Sequence, residues 1–148
     1  MIIKNLNVTS PAFMHKGLIP SKYTCDGQDV NPELDIGWIP AGTQSLVLIV
    51  DDPDAPMGTW DHWIVWNIPP TGKIKENSVP GTEGMNDFKK KSYGGPCPPF
   101  GTHRYFFKVY ALDTKLSLSP GSRKKDVEKS MEGRILARGE LIGLYSRR

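Results

Sequence analysis

Nowhere does this sequence carry a run approaching the roughly 20 apolar residues that a membrane-spanning helix needs. The stretch Met1 to Ser10 is likewise too polar for the apolar centre of a secretion signal. Only two cysteines occur, Cys25 and Cys97, far apart, so the chain has neither a Cys-x-x-Cys metal knuckle nor a disulfide framework. The cytoplasm is the expected location, and there both thiols are expected to be free, a single bridge being the alternative. Charge of one sign is scarce too: 19 basic against 16 acidic residues leave +3, too weak a field to point to nucleic acid. No His-x-x-Glu-His or Gly-x-Ser-x-Gly element supplies a zinc site or a hydrolase nucleophile. Internal repeats and linkers are absent, and the length suits a single domain spanning residues 1–148.

What the chain has in plenty is punctuation. Its 15 glycines and 13 prolines are spread without period between short apolar runs, which favours a mostly β sandwich or barrel over a helical bundle. Leu46 to Val50 is an unbroken apolar run ending in Asp51 and Asp52, the pattern of a central strand buried on both faces. His62 to Ile68 is aromatic and β-branched and is stopped by Pro69-Pro70. In Arg104 to Leu112, period two sets Tyr105, Phe107, Val109 and Ala111 on one face and Phe106, Tyr110 and Leu112 on the other. Shorter strands are expected at Ile2 to Val8, Glu33 to Trp38 and Glu140 to Tyr145. One short C-terminal helix is expected, capped by Ser122, with Asp126 and Glu128 in its first turns and Val127, Met131 and Ile135 as its apolar stripe. Gly133 weakens its end, so Ile135 could equally open the last strand.

Three polar residues fall at strand ends beside Pro/Gly-rich turns, where rigid strands support functional loops. Asp52 ends one strand, His62 begins the next, and His103 begins the third after the loop Tyr93 to Thr102. Antiparallel neighbours would gather all three at one rim. A carboxylate beside two imidazoles can accept a ring N–H, fix its tautomer and leave the other nitrogen for a ligand. Two such rings suit an anion whose oxygens only accept. By contrast, Asp51 and Asp54 read as turn formers before proline. His15 and Lys89-Lys90-Lys91 read as solvated, and Arg123-Lys124-Lys125 as plain surface.

Asp52-Pro53-Asp54-Ala55-Pro56, Trp60-Asp61-His62-Trp63, Gly94-Gly95-Pro96-Cys97-Pro98-Pro99 and Gly101-Thr102-His103-Arg104-Tyr105 resemble the two hallmark segments of the phosphatidylethanolamine-binding protein family. Tyr23 to Gly27, Asn31-Pro32 and Met131 to Tyr145 are similar to further segments of its short bacterial and archaeal branch. The resemblance implies a large antiparallel sheet packed on a smaller one, with a phosphate-type anion bound between the hallmark loops. Carried over by position, the ligand-binding residues are Asp52, His62, Pro98, His103, Tyr105 and Trp60, with Asp54 and Pro56 shaping the turn and Arg104 structural. No metal and no cofactor are expected. The long C-terminal helix of the animal members has no counterpart, so their kinase regulation is not carried over, whereas a homodimer is in keeping with other short members.

Three functions follow as expectations. The first is a binder of a small phosphorylated ligand or phospholipid head group that regulates another protein and is not an enzyme. The second is a serine protease inhibitor acting through a surface loop, Gly95 to Gly101 or Glu76 to Asn86. The third is a hydrolase using Asp52, His62 and His103 as acid–base groups or as an open metal site.

Overall fold

A computed structural model describes residues 2–147; Met1 and Arg148 lie outside the described residues. The strands are β1 (Lys4–Asn5), β2 (Asn7–Thr9), β3 (Gly17–Leu18), β4 (Leu34–Gly37), β5 (Ser45–Asp52), β6 (Trp60–Ile68), β7 (Lys73–Ile74), β8 (Thr82–Glu83), β9 (Thr102–Leu112) and β10 (Ile135–Ser146). A 3-10 turn covers Ser21–Tyr23, and the helix α1 is Lys124–Met131. The larger sheet runs β1-β10-β9-β5-β6-β8, with β3 also on β10; the smaller runs β2-β4-β7.

The apolar run of β5 dictates its central place: all eight of its residues are buried, and it lies between β9 and β6, antiparallel to both. From β10 through β9, β5 and β6 to β8 the larger sheet is antiparallel, and the two-residue strands β1 and β3 add parallel pairing at the outer edge of β10. The expected strand Ile2 to Val8 splits at buried Leu6 into β1 and β2, which enter different sheets. Short edge strands of this kind cover the backbone edge of β10 and leave little of it for another chain.

Alternation along the strands builds two apolar layers. Leu46, Leu48 and Val50 face the smaller sheet together with Trp63, Val65, Tyr105, Phe107, Val109 and Ala111. Val47, Ile49, Ile64 and Trp66 face the other way and are covered by Leu116, Val127 and Met131. A helix of eight residues is marginal by itself. Burying Val127 and Met131, each worth roughly 1.5–3 kcal/mol, is what holds α1 on the sheet.

The cap of α1 differs from expectation. Arg123 occupies the N-cap position, its N–H donating to the Asp126 carboxylate at 3.0 Å. The Ser122 hydroxyl turns back to the Ser119 carbonyl instead. Gly133, at φ 75°, ends the helix, and Ile135 opens β10. None of the helices among the described residues is long and apolar enough to cross a membrane.

Cys25 and Cys97 form a disulfide with Cα atoms 5.5 Å apart, which overturns the expectation of free thiols. Their separation of 72 residues hides the pairing in the sequence. The loop after Lys91 folds back on the 3-10 turn, where the Cys25 N–H donates to the Pro96 carbonyl at 3.1 Å and the Tyr93 hydroxyl to the Tyr23 carbonyl at 2.7 Å. Gly95 permits this approach, since a Cβ there would lie 2.3 Å from the Tyr23 carbonyl oxygen.

Candidate functional site

Asp52 closes β5, while His62 and His103 stand near the starts of β6 and β9, so the antiparallel pairing brings all three to one rim of the larger sheet. Strict alternation would still send His62 to the wrong face. Trp63 and Val65 point between the sheets and Ile64 and Trp66 toward α1, so His62 would follow Ile64. The register breaks here: Val50 pairs with Trp63 and Asp51 with Asp61, leaving His62 without a partner on β5. This is a β-bulge, a device that re-aims side chains at strand ends. Beyond it the alternation is reversed, so that Trp60 joins the cavity wall and Asp61 turns to the α1 side.

The result is a cavity of about 300 Å³ lined by Asp52, Trp60, His62, Pro98, His103 and Tyr105, all six of the residues expected from the sequence. Ala55, Pro56, Phe88, Cys97 and Pro99 complete its walls. Most of that wall is carbon, with the polar atoms confined to a few groups.

Those groups are tightly oriented. His103 Nδ1 lies 2.6 Å from Asp52 Oδ2, both residues buried. A carboxylate only accepts, so the ring donates. Asp52 Oδ1 also accepts the Asp54 N–H at 2.7 Å. His62 donates its Nδ1–H to the Gly94 carbonyl at 2.7 Å. Both imidazoles thus carry their proton on Nδ1 when neutral, which leaves each Nε2 free of protein partners. Burial pushes the His62 pKa below its ordinary 6.5, outweighing the Gly94 carbonyl and the Asp52 charge, which act to raise it.

Tyr105 lies between the two rings, 5.3 Å from His62 and 6.4 Å from His103 by centroid. Its buried hydroxyl has no hydrogen-bond partner. Burial, with the charges of Asp52 and Asp54 added, holds the phenol protonated far above its ordinary range. The buried Trp60 Nε1–H is likewise unpartnered.

Asn86 and Phe88, which sequence reasoning passed over, and Asp54 and Arg104, which it named, hold this arrangement. Asn86, fully buried, donates to the carbonyls of His62 at 3.1 Å and Ser92 at 2.8 Å. Its own oxygen accepts from the N–H groups of Phe88 and Lys90, which seats the Phe88 ring against His62 and Trp60. No periodic or compositional signal marks Asn86; only its burial inside a loop reveals it. Asp54 accepts from the Arg104 N–H, Nε and Nη2 at 2.9–3.0 Å, tying the two hallmark loops together and holding its own carboxyl below the usual range.

Asp51 is not the turn former expected of it. It is 2% exposed and lies 3.1 Å from Lys108 Nζ and 3.3 Å from Lys124 Nζ. Lys124 is therefore not plain surface either; its Nζ also reaches Asp61 Oδ1 at 2.7 Å.

The family model described as phosphatidylethanolamine-binding protein matches residues 9–146. This chain belongs to the phosphatidylethanolamine-binding protein family. A UPF0098 protein of Pyrococcus horikoshii is 51% identical over 94% of the chain and 76% of its own length. Another, from Methanothermobacter thermautotrophicus, is 48% identical over 96% of the chain and 99% of its own. The crystal structure of a putative family homologue from Chlamydia trachomatis superposes with a TM-score of 0.94 at 39% identity, covering 98% of this chain and 99% of the other. Escherichia coli YbcL, presented as a member of the mammalian family, gives 0.89 at 30% identity, covering 97% and 99%. These matches place the chain in the short prokaryotic branch of the phosphatidylethanolamine-binding proteins, with the fold that the hallmark segments imply.

Proposed function

We propose that this phosphatidylethanolamine-binding protein binds a small phosphate-type anion, either a phosphomonoester or a phospholipid head group, in the cavity between His62 and His103, without catalysing a reaction. One observation carries the reading: two imidazoles with free Nε2 atoms and one unpartnered phenol converge on a single cavity. A monohydrogen phosphate matches that set. Its P–OH can donate to a neutral Nε2, and its remaining oxygens can accept from the Tyr105 hydroxyl and from a protonated ring, where charge strengthens the bond. The carbon walls around Pro56, Phe88 and Pro98 would then shelter the organic part of the ligand.

The same lining holds no serine, threonine or free thiol to act as a catalytic nucleophile. Cys97 is held in the disulfide and the Tyr105 phenol is kept protonated. Among the described residues no group of three or more His, Cys, Asp or Glu stands together as a metal cluster. For protease inhibition, Gly95, Pro96 and Pro98 of the first candidate loop are buried under the disulfide, whereas a protease reads an exposed strand-like loop. The stretch Glu76 to Val79 is more open.

The sign of the pH dependence follows from His62. Its free-state pKa lies below 6.5, and an anion beside Nε2 favours the proton, so binding takes up protons and tightens as pH falls through and below that value. Calorimetry with phosphoethanolamine and with an alkyl sulfate, which keeps its charge across the range, measures this between pH 8 and 5. Both ligands should bind more tightly toward pH 5, and His62→Asn should flatten the sulfate curve. A flat wild-type sulfate curve, or unchanged binding in His62→Ala and His103→Ala, would contradict the proposal.

A further inference from the structure

Behind the cavity, on the α1 side of the larger sheet, two carboxylates face each other across the β5–β6 ladder. Asp51 and Asp61 are register partners, 2% and 8% exposed, and they occupy the step at which the bulge begins. Like charges placed directly opposite on a sheet repel, and burial sharpens that repulsion. Burial raises the pKa of Asp61, with the charges of Asp87 and Asp51 adding to it and Lys124 opposing. The pair is tolerated because Lys124, the first residue of α1, puts its Nζ 3.3 Å from Asp51 and 2.7 Å from Asp61. Burial alone would lower the Lys124 pKa, but its contacts with Asp61 and Asp51 outweigh that and hold the ammonium charged.

Each carboxylate is the chain neighbour of a cavity residue. Asp51 precedes Asp52, which orients His103, and Asp61 precedes His62. The backbone of Asp61 is gripped as well: its N–H donates to Asp87 Oδ2 at 2.6 Å, and its carbonyl accepts the Asp87 N–H at 2.9 Å. Arg123, next to Lys124, pairs with the other oxygen of Asp87. The N-cap Arg123 and the first helical residue Lys124 therefore hold both ends of the step that turns His62 out of alternation and into the cavity.

We infer that Lys124 is a positioning residue for the anion site, acting through Asp51 and Asp61 to hold the bulge that presents His62 and Asp52 to the ligand. Lys108 supplies the contrast. It pairs with Asp51 at 3.1 Å but makes no ion pair with Asp61 among the described residues, so its loss leaves Lys124 bridging both carboxylates and should leave the site largely in place. The inference rests on the anion-binding reading for its affinity readout alone; the state of the His62 ring can be followed without any ligand.

The test compares wild type with Lys124→Met, Lys124→Arg and Lys108→Met. Affinity for phosphoethanolamine is measured by calorimetry, and the titration of the His62 ring, which is packed among Asp52, Tyr105 and the Gly94 carbonyl with Asp51 and Asp61 behind it, is followed by NMR without ligand. Lys124→Met should weaken binding about tenfold, a typical size for coupling between adjoining sites, and should move the His62 titration toward that of an exposed imidazole. Lys124→Arg should restore both and Lys108→Met should change neither. If Lys124→Met does not fold, Lys124→Met combined with Asp61→Asn removes the stranded carboxylate and is expected to show the same two losses. A folded Lys124 variant with wild-type affinity and wild-type His62 titration would overturn the inference. Failure of wild type to bind phosphoethanolamine would instead count against the anion reading, leaving the His62 titration to decide the role of Lys124.

Discussion

In the proposed anion site, Tyr105 is a residue whose buried hydroxyl would serve binding at the expense of stability. A buried hydroxyl with no partner forfeits about 1–3 kcal/mol of hydration, and a phenylalanine would fill the same space between the two histidines. Tyr105→Phe is accordingly expected to leave the melting temperature unchanged or raised, while weakening phosphoethanolamine binding about tenfold, the worth of roughly one hydrogen bond to a charged group. Thermal melts and calorimetry on the same variant check this; a large loss of stability would mean that the hydroxyl is satisfied within the fold. At this scale the sequence was legible wherever a residue's type and place were enough. Asp52, His62 and His103 could be read from their positions at strand ends, while Tyr105 could be named as a site residue only through the resemblance of its hallmark segment. Lys124 could not. It meets Asp51 across 73 residues of chain only because α1 docks over β5 and β6.

Among the elements, the bulge in β6 and the loop stapled by Cys25–Cys97 decide the shape of the cavity. The strands themselves were readable, because unbroken apolar runs and alternation report burial directly, as β5 and β9 show. The bulge was not, since a strand buried on both faces has no apolar–polar alternation for a one-residue shift to break. It corrects the simple alternation that would have grouped Trp60 with Trp66. The disulfide stayed hidden for a related reason, as the contact that makes it is tertiary. Closing a loop of 72 residues removes enough freedom from the unfolded chain to be worth about 4 kcal/mol. Replacing both cysteines by serine should lower the unfolding free energy by about that amount in urea titration and loosen the Pro98 wall, whereas equal stability of the two proteins would show the bridge to be energetically idle.

For the molecule as a whole, the outline readable from glycine, proline and strand pattern was that of a β-sandwich or barrel, and the resemblance of the hallmark segments supplied its two-sheet arrangement; the parallel pairing of β1 and β3 with β10 had no signal in the sequence. Two-residue strands carry too little sequence to announce their direction. A net charge of +3 gives little long-range attraction, so the proposed recognition of an anion would have to come from the local donors at the cavity and not from the overall field. The central claim is that those donors, two imidazoles and one phenol, form one oxyanion site. A crystal structure determined with bound phosphate or phosphoethanolamine tests it most directly. The account predicts a phosphorus atom between His62 Nε2 and His103 Nε2 with an oxygen in hydrogen-bond reach of the Tyr105 hydroxyl, while a ligand seated elsewhere, with the two rings facing only water, would contradict it.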